Sequence, residues 1–173
     1  MTDATGKDAT YYFHQTPVEL AKDILAKHDN LFADGDVLFE AFKGEGAFYN
    51  NFPDRCEKKW AEIEEGVDFR SVDGYDWVIS NPPFKLGDRK KGENAFFTII
   101  EHFIGKARKG IVFLASASCF TSLTPRRQAI LHARGWGITH LTMCNVKAWS
   151  GRYFIIVLEP RRASLMDYLT KTY

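Results

Sequence analysis

The sequence predicts an α/β fold with an open, mostly parallel sheet that is covered by helices on both faces. Runs such as YDWVIS (75–80) and GIVFLAS (110–116) are largely apolar, which is typical of strands buried on both sides. These runs alternate along the chain with amphipathic segments of helical spacing. The length of 173 residues suits one domain, so we expect a flexible lead over residues 1–10 and a single domain over residues 11–173.

The predicted elements follow one another in a regular order. The first helix begins at Thr16-Pro17, with Thr16 as candidate N-cap, Pro17 as first helical residue and Glu19 completing a capping box. Further helices are predicted in AFYNNF (47–52), NAFFTIIEHFIGKARK (94–109) and TPRRQAILHARG (124–135). Strands are predicted in DVLFEAF (36–42), KKWAEI (58–63), YDWVIS, GIVFLAS, ITHLTMC (138–144) and YFIIVLE (153–159).

Composition narrows the functional class only in part. A net charge of +1 with 26% charged residues neither excludes nor indicates a nucleic-acid partner, because a basic groove can coexist with acidic surface elsewhere. Cys56, Cys119 and Cys144 form no CxxC pair and the histidines lack ligand spacing, so we expect no disulfide framework, no metal and structural histidines. No signal peptide and no run of about 20 apolar residues is present, which predicts a cytoplasmic protein without a membrane partner.

The first predicted strand ends in a carboxylate and a glycine turn. Glu40 is followed by Gly44-Glu45-Gly46. Glycines allow a ligand to approach the backbone closely, and a carboxylate at a strand end can accept a hydrogen bond from an ammonium or hydroxyl group. Because ligands of open α/β sheets bind beyond the carboxyl ends of the strands, this turn is a candidate cofactor site. An ordinary strand-to-helix turn explains it equally well.

Acidic residues also follow the second predicted strand. Glu62 lies where that strand should end, which is where a carboxylate binds ribose hydroxyls in nucleotide-binding folds. Asp68 is placed to accept a hydrogen bond from an adenine amino group while the ring of Phe69 covers the base. A plain turn aspartate is the alternative for Asp68, and a solvated turn fits Glu64 and Glu65.

The most specific feature is Asn81-Pro82-Pro83-Phe84, directly after YDWVIS. Proline fixes its own φ and restricts the preceding residue, so the segment forms a stiff, extended elbow. The elbow presents two acceptors, the side-chain oxygen of Asn81 and the carbonyl of Pro82, beside the flat ring of Phe84. This grouping suits a planar ligand that carries N–H donors, whereas a Pro-Pro linker is the alternative.

Taken in this order, the features resemble the S-adenosylmethionine-dependent amino methyltransferases, specifically the N6-adenine class, over about residues 11–160. The resemblance implies a Rossmann-like class I methyltransferase fold, S-adenosylmethionine as cofactor and a Thr-Pro pair over the methionine end of that cofactor. Catalytic roles are implied for Asn81, Pro82, Pro83 and Phe84. Cofactor-binding roles are implied for Gln15, Thr16, Pro17, Glu40, Phe42, Gly44, Gly46, Glu62, Asp68 and Phe69. Ala41 replaces the proline of the family's (Asp/Glu)-Pro-Phe-x-Gly-x-Gly motif.

The sequence departs from this family in two respects. Only six positions separate Glu62 from Asp68, where the family usually has a helix and a strand, so the sheet should lack one edge strand and one helix. No separate target-recognition domain is present, so the loops 85–94 and 118–128 are left to meet nucleic-acid phosphates. The candidate contacts are Lys85, Arg89, Lys90, Lys91, Arg126 and Arg127, with Trp149 and Tyr153 as walls of a base pocket. Solvated surface and core packing are equal alternatives for these residues.

The leading hypothesis is a DNA N6-adenine methyltransferase, compact and of phage or mobile-element type. The same core also suits an RNA adenine or guanine methyltransferase or a protein-glutamine methyltransferase. A catalytically silent nucleic-acid-binding module is a third hypothesis. The sequence leaves open a homodimer or a separate specificity subunit, and DNA or RNA as partner.

Overall fold

A computed structural model describes residues 14–86 and 93–171. The predicted lead over residues 1–10 lies outside the described residues. The strands are β1 (Val37–Glu40), β2 (Glu57–Trp60), β3 (Trp77–Ser80), β4 (Gly110–Ser116), β5 (Trp136–Cys144) and β6 (Tyr153–Pro160). The α-helices are α1 (Val18–Lys27), α2 (Ala95–Ile104), α3 (Ala117–Thr121) and α4 (Pro125–Ala133). Within the described ranges, no helix combines the length and the apolar character that a membrane crossing requires.

The strands form one sheet in the order β2-β1-β3-β4-β6-β5. The pairs β1 with β2, β1 with β3 and β3 with β4 are parallel, whereas β6 runs antiparallel to both β4 and β5. Five strands, β1 to β5, therefore run in the same direction, and their carboxyl ends lie at one edge of the sheet. The predicted open, mostly parallel sheet is confirmed.

The chain between β2 and β3 contains no further strand or helix of the α type. Residues 61–76, all of them described, form two short 3-10 turns at Ile63–Glu65 and Phe69–Ser71. β2 is therefore an edge strand, as the short spacing between Glu62 and Asp68 predicted. Lys59 lies on this strand and its Nζ donates to the carbonyls of Asp73 (2.6 Å) and Gly74 (3.1 Å), and lysine on an edge strand discourages pairing with other chains.

Both faces of the sheet are packed. Ile111 and Phe113 of β4 lie in one apolar cluster with Phe103 of α2, while Val112 and Leu114 lie in a second cluster with Ile24 of α1. Because successive side chains of a strand point to opposite faces, a strand buried on both sides must be apolar at every position. This explains the unbroken apolar run of β4.

The helix starts agree with the sequence only in part. Asn94 caps α2 by accepting from Phe97 N (2.9 Å), and Thr124 caps α4 by accepting from Arg127 N (3.4 Å). The predicted capping box at Thr16 is wrong: α1 begins at Val18, Pro17 is its N-cap, and no side chain among the described residues caps it. The short helix α3 lies in a segment that was predicted as a loop.

Candidate active site

Three segments that are far apart in sequence meet at the carboxyl edge of the sheet. The segment 14–17 lies between the glycine turn and the proline elbow. Gln15 Oε1 accepts a hydrogen bond from Glu45 N at 3.3 Å. On the other side, Asn81 Nδ2 donates to the carbonyl of His14 at 3.0 Å and to Oγ1 of Thr16 at 3.3 Å. The elbow, the glycine turn and the N-terminal motif therefore form one connected structure.

The turn after β1 requires glycine at two positions. Gly44 has a φ of +50° and Gly46 a φ of +79°, in the left-handed region that L side chains rarely adopt. A Cβ at Gly46 would also lie 2.9 Å from Nδ2 of Asn50. Both glycines thus hold a backbone conformation that would strain other residues, and the missing Cβ of Gly46 leaves room for the side chain of Asn50.

Glu40 is buried at the end of β1, with 2% of its surface exposed. Its carboxyl group accepts from Tyr49 N (2.7 Å) and from Phe48 N (3.4 Å), which folds the segment after the glycine turn back onto the strand. Burial raises the pKa of Glu40 to about 8, although both hydrogen bonds and the nearby Lys43 act in the opposite direction. The group is therefore mostly protonated at neutral pH.

Glu62 connects the end of β2 to the glycine turn. Its Oε2 accepts from Gly44 N at 2.7 Å and its Oε1 from Glu64 N at 3.2 Å. The side chain is half-buried, and a carboxylate oxygen can accept more than one hydrogen bond. Glu62 thus braces the turn and keeps acceptor capacity at the position where ribose hydroxyls bind in nucleotide-binding folds.

A cavity of about 300 Å³ opens beside the glycine turn and the elbow. Its walls come from the segments that follow β1, β2 and β3. It is lined by Ala41, Phe42, Ile63, Val67, Asp68, Phe69, Arg70, Pro83, Lys85 and Leu86. Small-molecule sites in proteins typically combine such apolar walls with a few polar groups that fix orientation. The cavity has the character of a site for a flat heterocycle.

Two predicted cavity residues also serve the local fold. Asp68 caps the turn Phe69–Ser71, because Oδ1 accepts from Arg70 N at 2.8 Å and Oδ2 lies 3.1 Å from Arg70 Nη1. Phe69 is buried, and its ring centroid lies 4.9 Å from that of Phe42. Both residues border the cavity.

Ile63 is a cavity residue that the sequence analysis missed. It lies directly after Glu62, borders the cavity and remains 59% exposed. A single exposed apolar side chain is ordinary on a protein surface, but this one adjoins the apolar wall of a cavity. An isoleucine between two glutamates at the end of a strand was the available signal.

Aromatic rings cluster on the other side of Asn81. The His14 ring lies 5.9 Å from Phe84, edge-on, and 5.3 Å from Trp149, whose ring lies 4.7 Å from Tyr153. Trp149 and Tyr153 were predicted as walls of a base pocket; Trp149 is linked to the elbow through the His14 ring, and Tyr153 lies behind Trp149. Tyr153 is only 4% exposed, so much of its ring packs in the core. His14 was expected to be structural, and its contact with the elbow was missed.

The predicted basic contacts are spread over different surfaces. Lys85 borders the 300 Å³ cavity, whereas Arg126 and Arg127 border a separate recess of about 380 Å³ with Phe97. The Arg127 guanidinium lies 5.4 Å from the centre of the Phe97 ring and donates to the carbonyl of Ser122. The other predicted contacts lie outside the described residues: Arg89, Lys90 and Lys91.

No metal centre is formed by the described residues. Within 14–86 and 93–171 there is no group of three or more His, Cys, Asp or Glu side chains arranged to hold an ion.

Comparisons with known proteins assign the fold. Neither the known protein families nor the curated proteins give a match. Solved structures do: a Listeria monocytogenes protein, provisionally assigned as a class I S-adenosylmethionine-dependent methyltransferase, matches at 15% identity and a TM-score of 0.66 over 93% of this chain. The described residues therefore have the fold of class I S-adenosylmethionine-dependent methyltransferases.

Two further matches come from different biological systems. The methyltransferase subunit of a type I restriction-modification system from Streptococcus thermophilus matches at 16% identity and a TM-score of 0.60 over 92% of this chain. A third match is Mtq2 of E. cuniculi, in a complex with Trm112 that is responsible for the methylation of the translation termination factor eRF1. It matches at 15% identity and a TM-score of 0.59 over 88% of this chain. The chain spans 66% of the Listeria chain, 47% of the Streptococcus chain and 99% of the E. cuniculi chain.

Proposed function

We propose that this protein transfers a methyl group from S-adenosylmethionine to the exocyclic amino group of adenine in DNA. The observation that carries the proposal is the orientation of Asn81. Its Nδ2 faces the carbonyl of His14 at 3.0 Å, and a carbonyl oxygen can only accept a hydrogen bond. The amide must therefore present its NH₂ end to the N-terminal segment, which directs Oδ1 the other way.

The residues at the sheet edge fit S-adenosylmethionine. The cavity of about 300 Å³ offers apolar walls for an adenine ring. Glu62, which accepts from Gly44 N of the glycine turn, lies at the strand end suited to a ribose. When bound, the cofactor would supply an electrophilic methyl group on a sulfonium centre: its S–CH₃ bond would break as the N–CH₃ bond forms, S-adenosylhomocysteine would leave, and the amino nitrogen would release one proton. The residues that would hold it are Gln15, Thr16, Pro17, Glu40, Phe42, Gly44, Gly46, Glu62, Asp68 and Phe69.

The elbow would make the adenine amino group more nucleophilic. The lone pair of an aryl amine is shared with its ring, so the nitrogen reacts poorly. With one amino hydrogen accepted by Asn81 Oδ1 and the other by the Pro82 carbonyl, the nitrogen becomes more tetrahedral and its lone pair becomes available. Stacking on Phe84 holds the base and contributes about 1 to 3 kcal/mol. Positioning and local electrostatics then provide most of the rate enhancement.

The substrate base has to leave its stack to reach the elbow. A base inside a duplex cannot enter a pocket at a sheet edge, so the target is flipped out or already unpaired. The rings of His14 and Trp149 lie beside the elbow and offer a second wall for an extruded base. The structural match to a restriction-modification methyltransferase subunit supports DNA as substrate.

A protein amide is the second candidate substrate. The E. cuniculi protein that acts on eRF1 is matched over 99% of its own chain, with no large part left over for a separate recognition domain. A primary amide offers the same two N–H donors on a planar group as an adenine amino group. The elbow suits both acceptors.

The test is methyl transfer from labelled S-adenosylmethionine into separate pools of DNA, RNA and protein. We expect label in DNA, recovered as N6-methyladenine after digestion and mass analysis. Label confined to protein or RNA would replace the DNA assignment by the corresponding alternative. Failure of the cofactor to bind in the micromolar range by calorimetry would instead leave a silent binding module.

Asn81→Ala provides the matched control for this assay. The variant loses the amide acceptor, so we expect methyl transfer to fall below detection while the Kd for the cofactor stays within about twofold of wild type. The walls of the cavity come from other side chains, and Gln15 still accepts from Glu45 N, so the loss of the Asn81 bonds to His14 and Thr16 should weaken cofactor binding far less than transfer. An equal loss of transfer and of cofactor affinity would contradict the catalytic role of Asn81.

A further inference from the structure

We propose that Thr16 is a positioning residue for Asn81: the carbonyl of His14 selects which end of the Asn81 carboxamide faces the substrate, and the Thr16 hydroxyl holds the plane of that carboxamide by accepting from the same Nδ2. The proposal rests on the proposed function, since it concerns the elbow that accepts the target amino group. In this role Thr16 orients the side chain of Asn81. The role is additional to the position over the cofactor that the family resemblance implies.

The hydrogen-bond count at Asn81 supports this assignment. The carboxamide carries two hydrogens, both on Nδ2, and two acceptors lie within reach of them: the His14 carbonyl at 3.0 Å and Thr16 Oγ1 at 3.3 Å. A flipped amide would place Oδ1 against the His14 carbonyl, two acceptors without a hydrogen between them. The His14 carbonyl therefore selects the orientation, whereas the Thr16 hydroxyl, which can donate as well as accept, holds the carboxamide in its plane.

The Thr16 hydroxyl does not cap helix α1. The threonine of a Thr-Pro helix start normally accepts a hydrogen bond from a backbone N–H of the first turn, as Thr124 does from Arg127 N in α4. At α1, Pro17 is the N-cap and no described side chain caps the first turn. The hydroxyl of Thr16 contacts Asn81 instead.

The segment that carries Thr16 is held on both flanks. Gln15 accepts from Glu45 N of the glycine turn at 3.3 Å. The His14 ring lies between Phe84 at 5.9 Å and Trp149 at 5.3 Å. These contacts fix the position of the hydroxyl relative to the elbow, so the orientation of Asn81 depends on the docked segment.

Loss of the hydroxyl should reduce the fraction of molecules with Asn81 in the productive orientation. Thr16→Val keeps the shape and removes the acceptor. Because a single hydrogen bond of this kind has a modest net effect, we expect kcat to fall about 3- to 10-fold. Thr16→Ser keeps the hydroxyl and should recover most of the rate. Thr98→Val, in the middle of α2, is the control for an equivalent change away from the site.

The cofactor affinity separates this role from a purely cofactor-binding one. Because Thr16 also lies among the residues that would hold the cofactor, kcat of Thr16→Val is measured at S-adenosylmethionine concentrations well above the variant's own Kd from calorimetry, and we expect it to fall even there. A Kd that rises by the same factor as kcat/KM falls would overturn the proposal, because Thr16 would then act only on the cofactor. An unchanged kcat would overturn it as well.

The side-chain amide of Asn81 gives a readout that needs no activity. In nitrogen-15 NMR spectra the two Nδ2 protons of the wild type should exchange slowly with water, and Thr16→Val should accelerate the exchange of one of them. If the wild type methylates no DNA but the exchange still responds to Thr16→Val and recovers in Thr16→Ser, the proposed function fails and this proposal stands. Equal exchange in all variants would overturn the proposal.

Discussion

At the scale of single residues, the buried carboxyl of Glu40 has the most unusual electrostatics in the candidate site. Burial raises its pKa to about 8, against an ordinary value of 4.5. Its oxygens meet Tyr49 N and Phe48 N, which compensates only part of the cost of placing charge in the interior. A cationic ligand beside Glu40 would favour its ionised form.

This carboxyl should make the stability of the protein depend on pH. The native state keeps the proton up to about pH 8, whereas the unfolded chain releases it near 4.5. Between these values the native state binds more protons than the unfolded chain. The contribution of Glu40 to the free energy of unfolding is therefore complete below pH 4.5 and is lost as the pH rises towards 8. The slope from this group is at most about 1.4 kcal/mol per pH unit.

Glu40→Gln tests this dependence. Glutamine keeps an acceptor for Tyr49 N but has no titrating group, so the decrease in unfolding free energy between pH 5.5 and pH 8 should be smaller in the variant. Denaturant unfolding at several pH values measures the difference. A variant with the same pH profile as the wild type would show that Glu40 ionises normally in the native state.

At the scale of elements, the same dipeptide behaves differently at two helix starts. Thr124-Pro125 caps α4 as predicted, whereas Thr16-Pro17 does not cap α1. Local sequence is alike at both places, so the difference comes from a tertiary partner, Asn81, that no local pattern reveals. The five-residue helix α3 was missed for a related reason: it is too short for helical periodicity to appear.

The pairing of β3 with β4 depends on a residue without a side chain. Gly110 is paired with Trp77, and a Cβ at Gly110 would lie 2.2 Å from the indole ring. Trp77 is 2% exposed and cannot easily move. Gly110→Ala should therefore destabilise the protein by about 1 to 3 kcal/mol through overpacking.

Gly105→Ala is the matched control for this prediction. A Cβ at Gly105 would have its nearest neighbour at 3.5 Å, an ordinary contact, and the backbone there has a negative φ of −85°. Thermal and denaturant unfolding should show a much larger loss for Gly110→Ala than for Gly105→Ala. Similar losses in both variants would mean that Trp77 adapts to the added methyl group.

At the scale of the whole molecule, the convergence of the site was predictable but its contacts were not. Carboxyl ends of parallel strands share one sheet edge, which placed Glu40, Glu62 and Asn81 together before any coordinates. The contacts of His14 and Ile63 were not predictable, because each depends on how a loop folds over that edge. Both residue types also occur commonly as ordinary surface or core residues.

Cofactor binding should depend on the shape of the glycine turn. Ligand at about 100 times its Kd should stabilise the wild type by about 2.7 kcal/mol. Gly46→Ala adds a Cβ at a φ of +79°, 2.9 Å from Asn50 Nδ2, so the turn is distorted and this ligand-dependent gain should shrink. Thermal unfolding with and without S-adenosylmethionine measures it.

Gly135→Ala separates this effect from backbone strain. Gly135 has nearly the same φ, +77°, but open space around it, and it precedes β5, away from the candidate site. Both variants should lose basal stability, but only Gly46→Ala should lose the response to ligand. An equal response in the two variants would place the cofactor elsewhere.

The bond from Asn81 to His14 joins residues 67 positions apart in the chain. The segment 14–17 contributes few of the buried side chains that hold the sheet together, so it can detach at a lower free-energy cost than global unfolding. Its detachment would leave an intact sheet with a misdirected carboxamide. Activity would then be lost at a lower temperature or denaturant concentration than the one at which the protein unfolds.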